Sequence, residues 1–181
     1  MVNKKFQKTE TAIFIAYYKF RDYPTAKAIA KHAKISRSTL YRHHAKPYAL
    51  PKDYENYLLK VYSQKMKKLI AKNLPLKTLF FRTIVFIHNH RLIFKALFKE
   101  DHKEIIKKML DKLKDRILKE WNYAGNTEKL YKVYQNEVLG IIETWGKSDF
   151  SVKETTNILN DILYLTKTTP KHLSRFLEQP K

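Results

Sequence analysis

The chain has 181 residues, of which 37 are Lys or Arg and 17 are Asp or Glu, and its formal net charge is +20. This excess favours polyanionic partners, nucleic acid first and an anionic membrane surface second. Because cysteine is absent, a disulfide framework, a thiolate zinc site and a catalytic cysteine are excluded, and a cytoplasmic location is expected. The first residues lack a signal-peptide pattern, and no stretch is apolar enough to span a bilayer. Acidic residues interrupt the basic helix face that carries Lys103, Lys107, Lys112 and Lys114, so this face is expected to be solvated and no membrane partner is expected.

The periodicity of apolar residues predicts an all-α fold, since it follows the 3.6-residue repeat of a helix and no alternating strand pattern competes with it. Three short helices come first. The first runs over about residues 8–20, the second is capped by Thr25, and the third covers residues 37–43 and is capped by Ser36. Together they predict a compact three-helix unit.

A domain junction is predicted near residue 50. Pro47 and Pro51 suit the boundary and the first turn of a helix, and a long fourth helix follows to about residue 72. We therefore expect a helix-turn-helix DNA-binding domain at residues 1–50 and a helical ligand-sensing and dimerisation domain at residues 51–181. The first 75 residues hold 17 basic and 4 acidic side chains, so the N-terminal part is the expected anion-binding face.

The larger domain is predicted to contain five further helices. They cover about residues 76–89, 91–99, 102–121, 127–145 and 152–166. The last two are joined by a short segment, which predicts an antiparallel hairpin. Pro170 is expected to separate this hairpin from one or two final helical turns.

The segment TAKAIAKHAKISRSTLYRH, residues 25–43, has the spacing of a helix-turn-helix. Ile29, Ala30, Ala33 and Leu40 are expected to pack inward, which leaves one face of the third helix free. The free side chains mix short hydroxyls, cations and an aromatic ring, and they suit a DNA major groove flanked by phosphates. They are Ser36, Arg37, Ser38, Thr39, Tyr41, Arg42 and His43.

The whole stretch from about residue 11 to residue 50 resembles the DNA-binding domain of TetR-family regulators. The family pattern of an IA-x-x-A-x-(I/V)-S helix and turn reads IAKHAKIS here, from Ile29 to Ser36. The family's T-(L/F)-Y-x-H recognition helix reads TLYRH, from Thr39 to His43. The resemblance implies a homodimeric regulator that binds a palindromic double-stranded DNA operator. It is expected to be a repressor, controlled by a small effector or a partner.

The resemblance also implies roles for single residues. It places Lys27, Arg37, Ser38 and Thr39 at or near the bases, and Tyr41 and His43 on phosphates. Three positions depart from the family pattern: the usual turn glycine is Lys34, the aromatic residue after the histidine is His44, and a common phosphate-contacting lysine is Pro47. Lys34 is expected to adopt a left-handed backbone at some cost, and Lys46 is expected to replace the missing lysine.

Two further sites are expected in the larger domain. The resemblance places an effector pocket among the middle helices, where aromatic side chains could line it; each of these is more often plain core. The candidates are Phe81, Phe86, Phe94, Phe98 and Trp121. The final hairpin carries more apolar residues than one internal face needs, which predicts an exposed patch buried by dimerisation. The predicted interface residues are Leu130, Tyr134, Val138, Ile141, Trp145, Ile158, Leu159 and Ile162.

Alternative functions stay open at this point. A sequence-indifferent DNA coater would use the same net charge, and a dimeric interaction protein without DNA binding would follow from the departures at Lys34, His44 and Pro47. An enzyme is not expected, since no phosphate loop or nucleophile signature occurs and His88 and His90 are spaced by two rather than by three or four. No cofactor or metal is expected.

Overall fold

The computed structural model describes residues 4–17, 19–20, 24–45, 50–99, 103–121 and 126–177, and these contain ten α-helices and no strand. The all-α fold is thus as predicted. The helices are α1 (Lys4–Tyr17), α2 (Ala26–Ala33), α3 (Arg37–His43), α4 (Leu50–Ala71), α5 (Leu76–Asn89), α6 (Arg91–Lys99), α7 (Glu104–Asp111), α8 (Lys114–Trp121), α9 (Thr127–Lys147) and α10 (Thr155–Leu177).

Helices α1, α2 and α3 share a small apolar core. Its members are mostly small or branched side chains: Ile13, Ala16, Tyr17, Ile29, Ala30, Ala33 and Leu40. The predicted caps are present, since Thr25 Oγ1 accepts from Ala28 N and Ser36 Oγ accepts from Thr39 N. These caps satisfy backbone groups that the short helices leave open, and so fix where α2 and α3 begin.

The remaining helices enclose a larger core that is rich in aromatic rings and also includes Phe14 from α1. Helix α1 is therefore shared, with Ile13 facing the small core and Phe14 stacked on Tyr54 of α4, ring centroids 4.2 Å apart. Thr11 and Tyr54 join the same two helices by a hydroxyl contact of 3.3 Å. The three-helix unit is thus anchored to the larger body through α1.

The single helix predicted at residues 102–121 is wrong: α7 ends at Asp111 and α8 begins at Lys114. At the break, Lys112 N donates to Met109 O and Leu113 N to Leu110 O, bonds of the tighter i to i−3 type. Apolar residues here repeat every four positions, so on a straight helix their direction would drift by about 40° at each step. The break lets both halves direct their apolar side chains into the core.

The hairpin of α9 and α10 was expected, but α10 continues through Pro170 to Leu177 instead of ending near residue 166. Its first turn follows a 3-10 segment at Val152–Glu154. Proline within a helix removes one backbone donor. Two hydrogen bonds hold α10 on α9 just before it: Tyr134 OH with Thr166 Oγ1 at 2.9 Å, and Thr169 Oγ1 donating to Glu137 at 3.1 Å.

The turn between α9 and α10 is built from two left-handed residues, Asp149 at φ 59° and Phe150 at φ 54°. The Phe150 ring is fully buried and lies edge-on to Trp145, with centroids 5.2 Å apart. Gly146 approaches this ring so closely that an added Cβ would lie 3.1 Å from Phe150 Cζ. His88 Nδ1 donates to Phe150 O at 2.9 Å, which ties the turn to α5.

No helix within the described ranges is both long and apolar enough to cross a membrane.

Candidate nucleic-acid interface

Helices α2 and α3 are joined by a short turn whose key residue is Lys34. Its backbone is left-handed, φ 55° and ψ 45°, as predicted from the replaced glycine. Lys34 N donates to Lys31 O and Ile35 N to Ala30 O, so the turn closes α2 before Ser36 opens α3. Leu40 is fully buried and fixes the inner side of α3.

The outer side of α3 is exposed. Most of the predicted DNA-binding side chains lie in solvent, but Thr39 is half-buried and the side chain of His43 is buried. The exposed ones are Lys27, Ser36, Arg37, Ser38, Tyr41 and Arg42. Lys46 and Pro47 lie outside the described residues, so the expected replacement of one by the other remains a prediction.

The hydroxyl groups at the start of α3 bond to one another. Ser36 Oγ lies 2.8 Å from both Ser38 Oγ and Thr39 Oγ1 and also accepts from Thr39 N. A DNA base that bonds to one of these hydroxyl groups would have to replace some of the hydrogen bonds between them. Arg37 and Arg42 are exposed, and their long side chains end in guanidinium donors. They are therefore better placed than the hydroxyl groups to reach an acceptor outside the protein.

The end of α3 is held by a buried carboxylate. Glu10 of α1 is 4% exposed, and its two oxygens bond to different histidines: Oε1 to His43 Nδ1, and Oε2 to His44 Nε2 at 2.8 Å. Asp53 of α4 lies 3.6 Å from His44 Nδ1. Phe6 stacks on the His43 ring with centroids 4.4 Å apart. We call Glu10, His43, His44 and Asp53 the Glu10 cluster; it joins α1, α3 and α4.

Electrostatics favour the charged forms of Glu10 and His44. Burial alone would raise the pKa of Glu10, but hydrogen bonds from His44 and His43 more than offset it, and the pKa lies below its ordinary 4.5. Burial alone would lower the pKa of His44, but Glu10 and then Asp53 raise it above its ordinary 6.5. The His44 departure from the family pattern is therefore accommodated by a buried acid.

Glu10 and Asp53 were not singled out from the sequence, although two signals pointed to them. Glu10 precedes Ile13, Phe14 and Tyr17 by three, four and seven positions, which places it on the buried side of α1. A buried acid needs a partner, and His44 stands at the position where the TetR-family pattern has an aromatic residue. Joining these two signals requires the fold, because they lie 34 residues apart.

The expected effector-pocket residues line neither the cavity nor the groove described below, and the pocket stays a prediction. Phe86 and Phe94 are core residues and Phe81 is 43% exposed. Trp121 is buried, and its Nε1 has no hydrogen-bond partner among the described residues. The cavity between α5, α7, α9 and α10 holds only about 10 Å³, about one water, and other residues line it. An open groove of about 600 Å³ lies where Pro75, Glu120 and Tyr164 meet.

The predicted dimer-interface residues lie in the interior of the single chain. Ile141 is half-buried, and the other seven are buried: Leu130, Tyr134, Val138, Trp145, Ile158, Leu159 and Ile162. The reason for choosing them, an apolar patch left exposed in a single chain, is therefore wrong. Pairing of two chains through α9 and α10 stays a prediction, and it would have to use other side chains of these helices.

No group of three or more histidines and acids within the described ranges is arranged to hold a metal ion. The interactions described at this interface are hydrogen bonds, aromatic stacking and ion pairs.

Comparisons of the chain with protein-family models, with curated proteins and with solved structures found no match.

Proposed function

We propose that this protein is a sequence-specific DNA-binding transcriptional regulator that resembles the TetR family. In this proposal α3 is the recognition helix, and the body formed by α4 to α10 carries dimerisation and sensing. The regulator acts as a repressor on a palindromic operator, and a small effector or a partner controls it.

The observation that carries the proposal is the exposed outer face of α3, on a helix whose inner side is fixed. Leu40 is fully buried, while its neighbours Tyr41 and Arg42 are exposed. A helix held in this way can enter a major groove without losing its packing. The net charge of +20 supplies the attraction to phosphate.

Sequence choice is assigned to Arg37, whose guanidinium can bind two acceptors of a guanine edge. Lys27 is assigned to a base or near-base contact, and Tyr41 to positioning on the backbone. The buried donor of Trp121 is a candidate contact for a polar effector, which would have to open the core to reach it.

A randomised-site selection with the purified full chain tests the function directly, since it must recover one preferred palindromic site. Replacement Arg37→Ala should then weaken binding to that site more than to unrelated DNA, by about 1–3 kcal/mol. Arg82→Ala, an exposed arginine on α5, is the matched control and should leave both affinities unchanged. Equal losses on both DNAs for Arg37→Ala would limit Arg37 to phosphate contact.

A sequence-indifferent DNA coater is the second candidate, favoured by the net charge of +20. It would recover no preferred site, and its affinity for all duplexes would fall together as salt rises. A regulator keeps a preference for one site at moderate salt.

We place the dimer contact on the solvent-facing sides of α9 and α10. Tyr164 is 62% exposed, and a Cβ at Gly140 would meet nothing within 4 Å. Gly140→Arg should therefore leave the chain folded but separate the dimer, while Gly140→Ala, the small control, should leave it paired. Light scattering reports the mass. A wild type that is monomeric at micromolar concentration would contradict the dimer, and a dimeric Gly140→Arg variant would contradict this surface.

A further inference from the structure

The His43 ring has one nitrogen committed inside the protein and one left for other use. Nδ1 bonds to Glu10 Oε1, whereas Nε2 bonds to no described residue. The side chain of His43 is 7% exposed and that of Glu10 is 5% exposed, so solvent can do little to replace their bond. Phe6, stacked on the ring, further restricts its rotation.

The chemistry of this bond determines where the ring proton lies. A carboxylate only accepts hydrogen bonds, so the nitrogen that faces it must carry a proton. In neutral His43 the single proton is then on Nδ1, and Nε2 is an acceptor. A DNA phosphate also only accepts, so it can bind Nε2 only when the ring carries a second proton.

We propose that Glu10 is a positioning residue that holds the ring proton of His43 on Nδ1 and thereby makes contact between His43 and a DNA phosphate depend on uptake of one proton per chain. This inference rests on the proposed function, with His43 on a phosphate as the resemblance to the TetR family implies. The second carboxylate oxygen of Glu10, bonded to His44 Nε2, keeps the carboxylate from rotating away.

The groups that face this site come from three helices. Glu10 comes from α1, His43 and His44 from the end of α3, and Asp53 and Tyr54 from α4. The pKa of Glu10 is lowered and that of His44 raised, so Glu10 remains a carboxylate in neutral and mildly acidic solution. The acceptor that fixes the His43 proton is therefore present throughout the range in which a histidine titrates.

The binding test uses the full chain and a short DNA duplex of mixed sequence at fixed low salt, because a phosphate contact needs no particular sequence. Wild-type affinity should be higher in mildly acidic than in mildly alkaline solution, by at most about tenfold per pH unit for each proton taken up. His43→Gln should flatten this dependence. His32→Gln, an exposed histidine on α2, measures the share of other histidines.

Glu10→Gln tests the positioning role. A glutamine both donates and accepts, so it can accept from His44 while donating to His43 Nδ1, which frees the His43 proton for Nε2. Neutral His43 can then bind phosphate, and the pH dependence should weaken strongly. Glu128→Gln, the same change at an exposed glutamate, should keep the wild-type profile. An unchanged profile in a folded Glu10→Gln variant would overturn the proposal.

Nitrogen-15 NMR of the imidazole rings gives a second readout without DNA. His43, identified by loss of its signals in His43→Gln, should carry its single proton on Nδ1 in the wild type in mildly alkaline solution. An Nε2–H tautomer would overturn the inference even if Glu10→Gln fails to fold. Failure to bind any duplex would refute the proposed function and the proton-linked contact together, whereas binding with a flat pH profile would refute the inference alone.

Discussion

The small three-helix unit and the larger body are stabilised in different ways. Three of the seven side chains in the small core are alanines, which bury little apolar area, whereas the larger core is filled with aromatic rings and long aliphatic chains. The small unit adds two helix caps and the Glu10 cluster. We infer that the stability of the body comes mainly from the burial of large apolar side chains. The stability of the small unit depends to a larger extent on the placement of polar atoms.

Removing a large ring from the body should have the largest effect. Trp145 is fully buried, and its Nε1 donates to Ser151 O at 2.9 Å. Trp145→Ala should lower the free energy of unfolding by about 3–5 kcal/mol, because it leaves a cavity and an unpaired carbonyl. Urea denaturation measures this change. Leu92→Ala, at a residue that is 50% exposed, should change stability by less than about 0.5 kcal/mol. Equal effects would show that the body does not depend on this ring.

Truncation in the small core should act locally. Leu40→Ala should cost about 2–5 kcal/mol. Hydrogen exchange should become faster at the amides of α2 and α3 and stay unchanged in α5. Tyr41→Ala is the neighbouring control, since this side chain is 45% exposed and should leave exchange unaltered. Faster exchange in α5 as well would mean that the two regions unfold as one.

The pH dependence of the small unit follows from the Glu10 cluster. The lowered pKa of Glu10 contributes stability above its ordinary 4.5, which is lost as the pH falls through its folded value. The raised pKa of His44 contributes stability below its ordinary 6.5, which is lost as the pH rises through its folded value. Both contributions are fully present between the two ordinary pKa values, so the small unit should be most stable between pH 4.5 and pH 6.5.

The Glu10→Gln variant tests this dependence. Loss of the charged hydrogen bonds should cost about 1–3 kcal/mol in that window and flatten the profile. Denaturation followed through NMR signals of α2 and α3 provides the measurement. A variant with the wild-type profile would show that other groups set it.

The smallest effect is expected at the turn. Lys34→Gly should stabilise the small unit by about 0.5–1 kcal/mol, because glycine adopts the left-handed backbone without the steric cost that Lys34 carries at φ 55°. Lys31→Gly, inside α2, should instead destabilise it by about 1 kcal/mol. Thermal unfolding of the two variants compares the signs. A loss of stability in both would mean that the left-handed residue carries little strain.

The sequence predicted the features that are encoded locally. Helix α5 was expected at residues 76–89 and is observed at Leu76–Asn89, since Pro75 marks its start and its apolar pattern is uninterrupted. Thr25 and Ser36 were recognised as caps for the same reason. Such signals lie within one helical turn of the feature that they determine.

The features that depend on distant contacts were not predicted. Local propensity does not predict the break between α7 and α8 or the continuation of α10 through Pro170, since it favours one unbroken helix at the first place and a helix end at the second. The Glu10 cluster joins three helices and needs the fold to assemble it. The apolar side chains of α9 and α10 were assigned to a dimer because the sequence does not show how much of them the chain itself buries.

The contact between Gly146 and Phe150 has a consequence for how this chain can diverge over evolutionary time. A Cβ at position 146 would press against a ring that is buried between neighbouring rings and has little room to yield. A change at Gly146 should therefore be accepted only in lineages that have already acquired a smaller residue at position 150. A smaller residue at position 150 would in turn leave empty some of the space that the Phe150 ring occupies. The two positions should thus change as a pair, in an order that begins with Phe150, and homologous sequences should show them covarying.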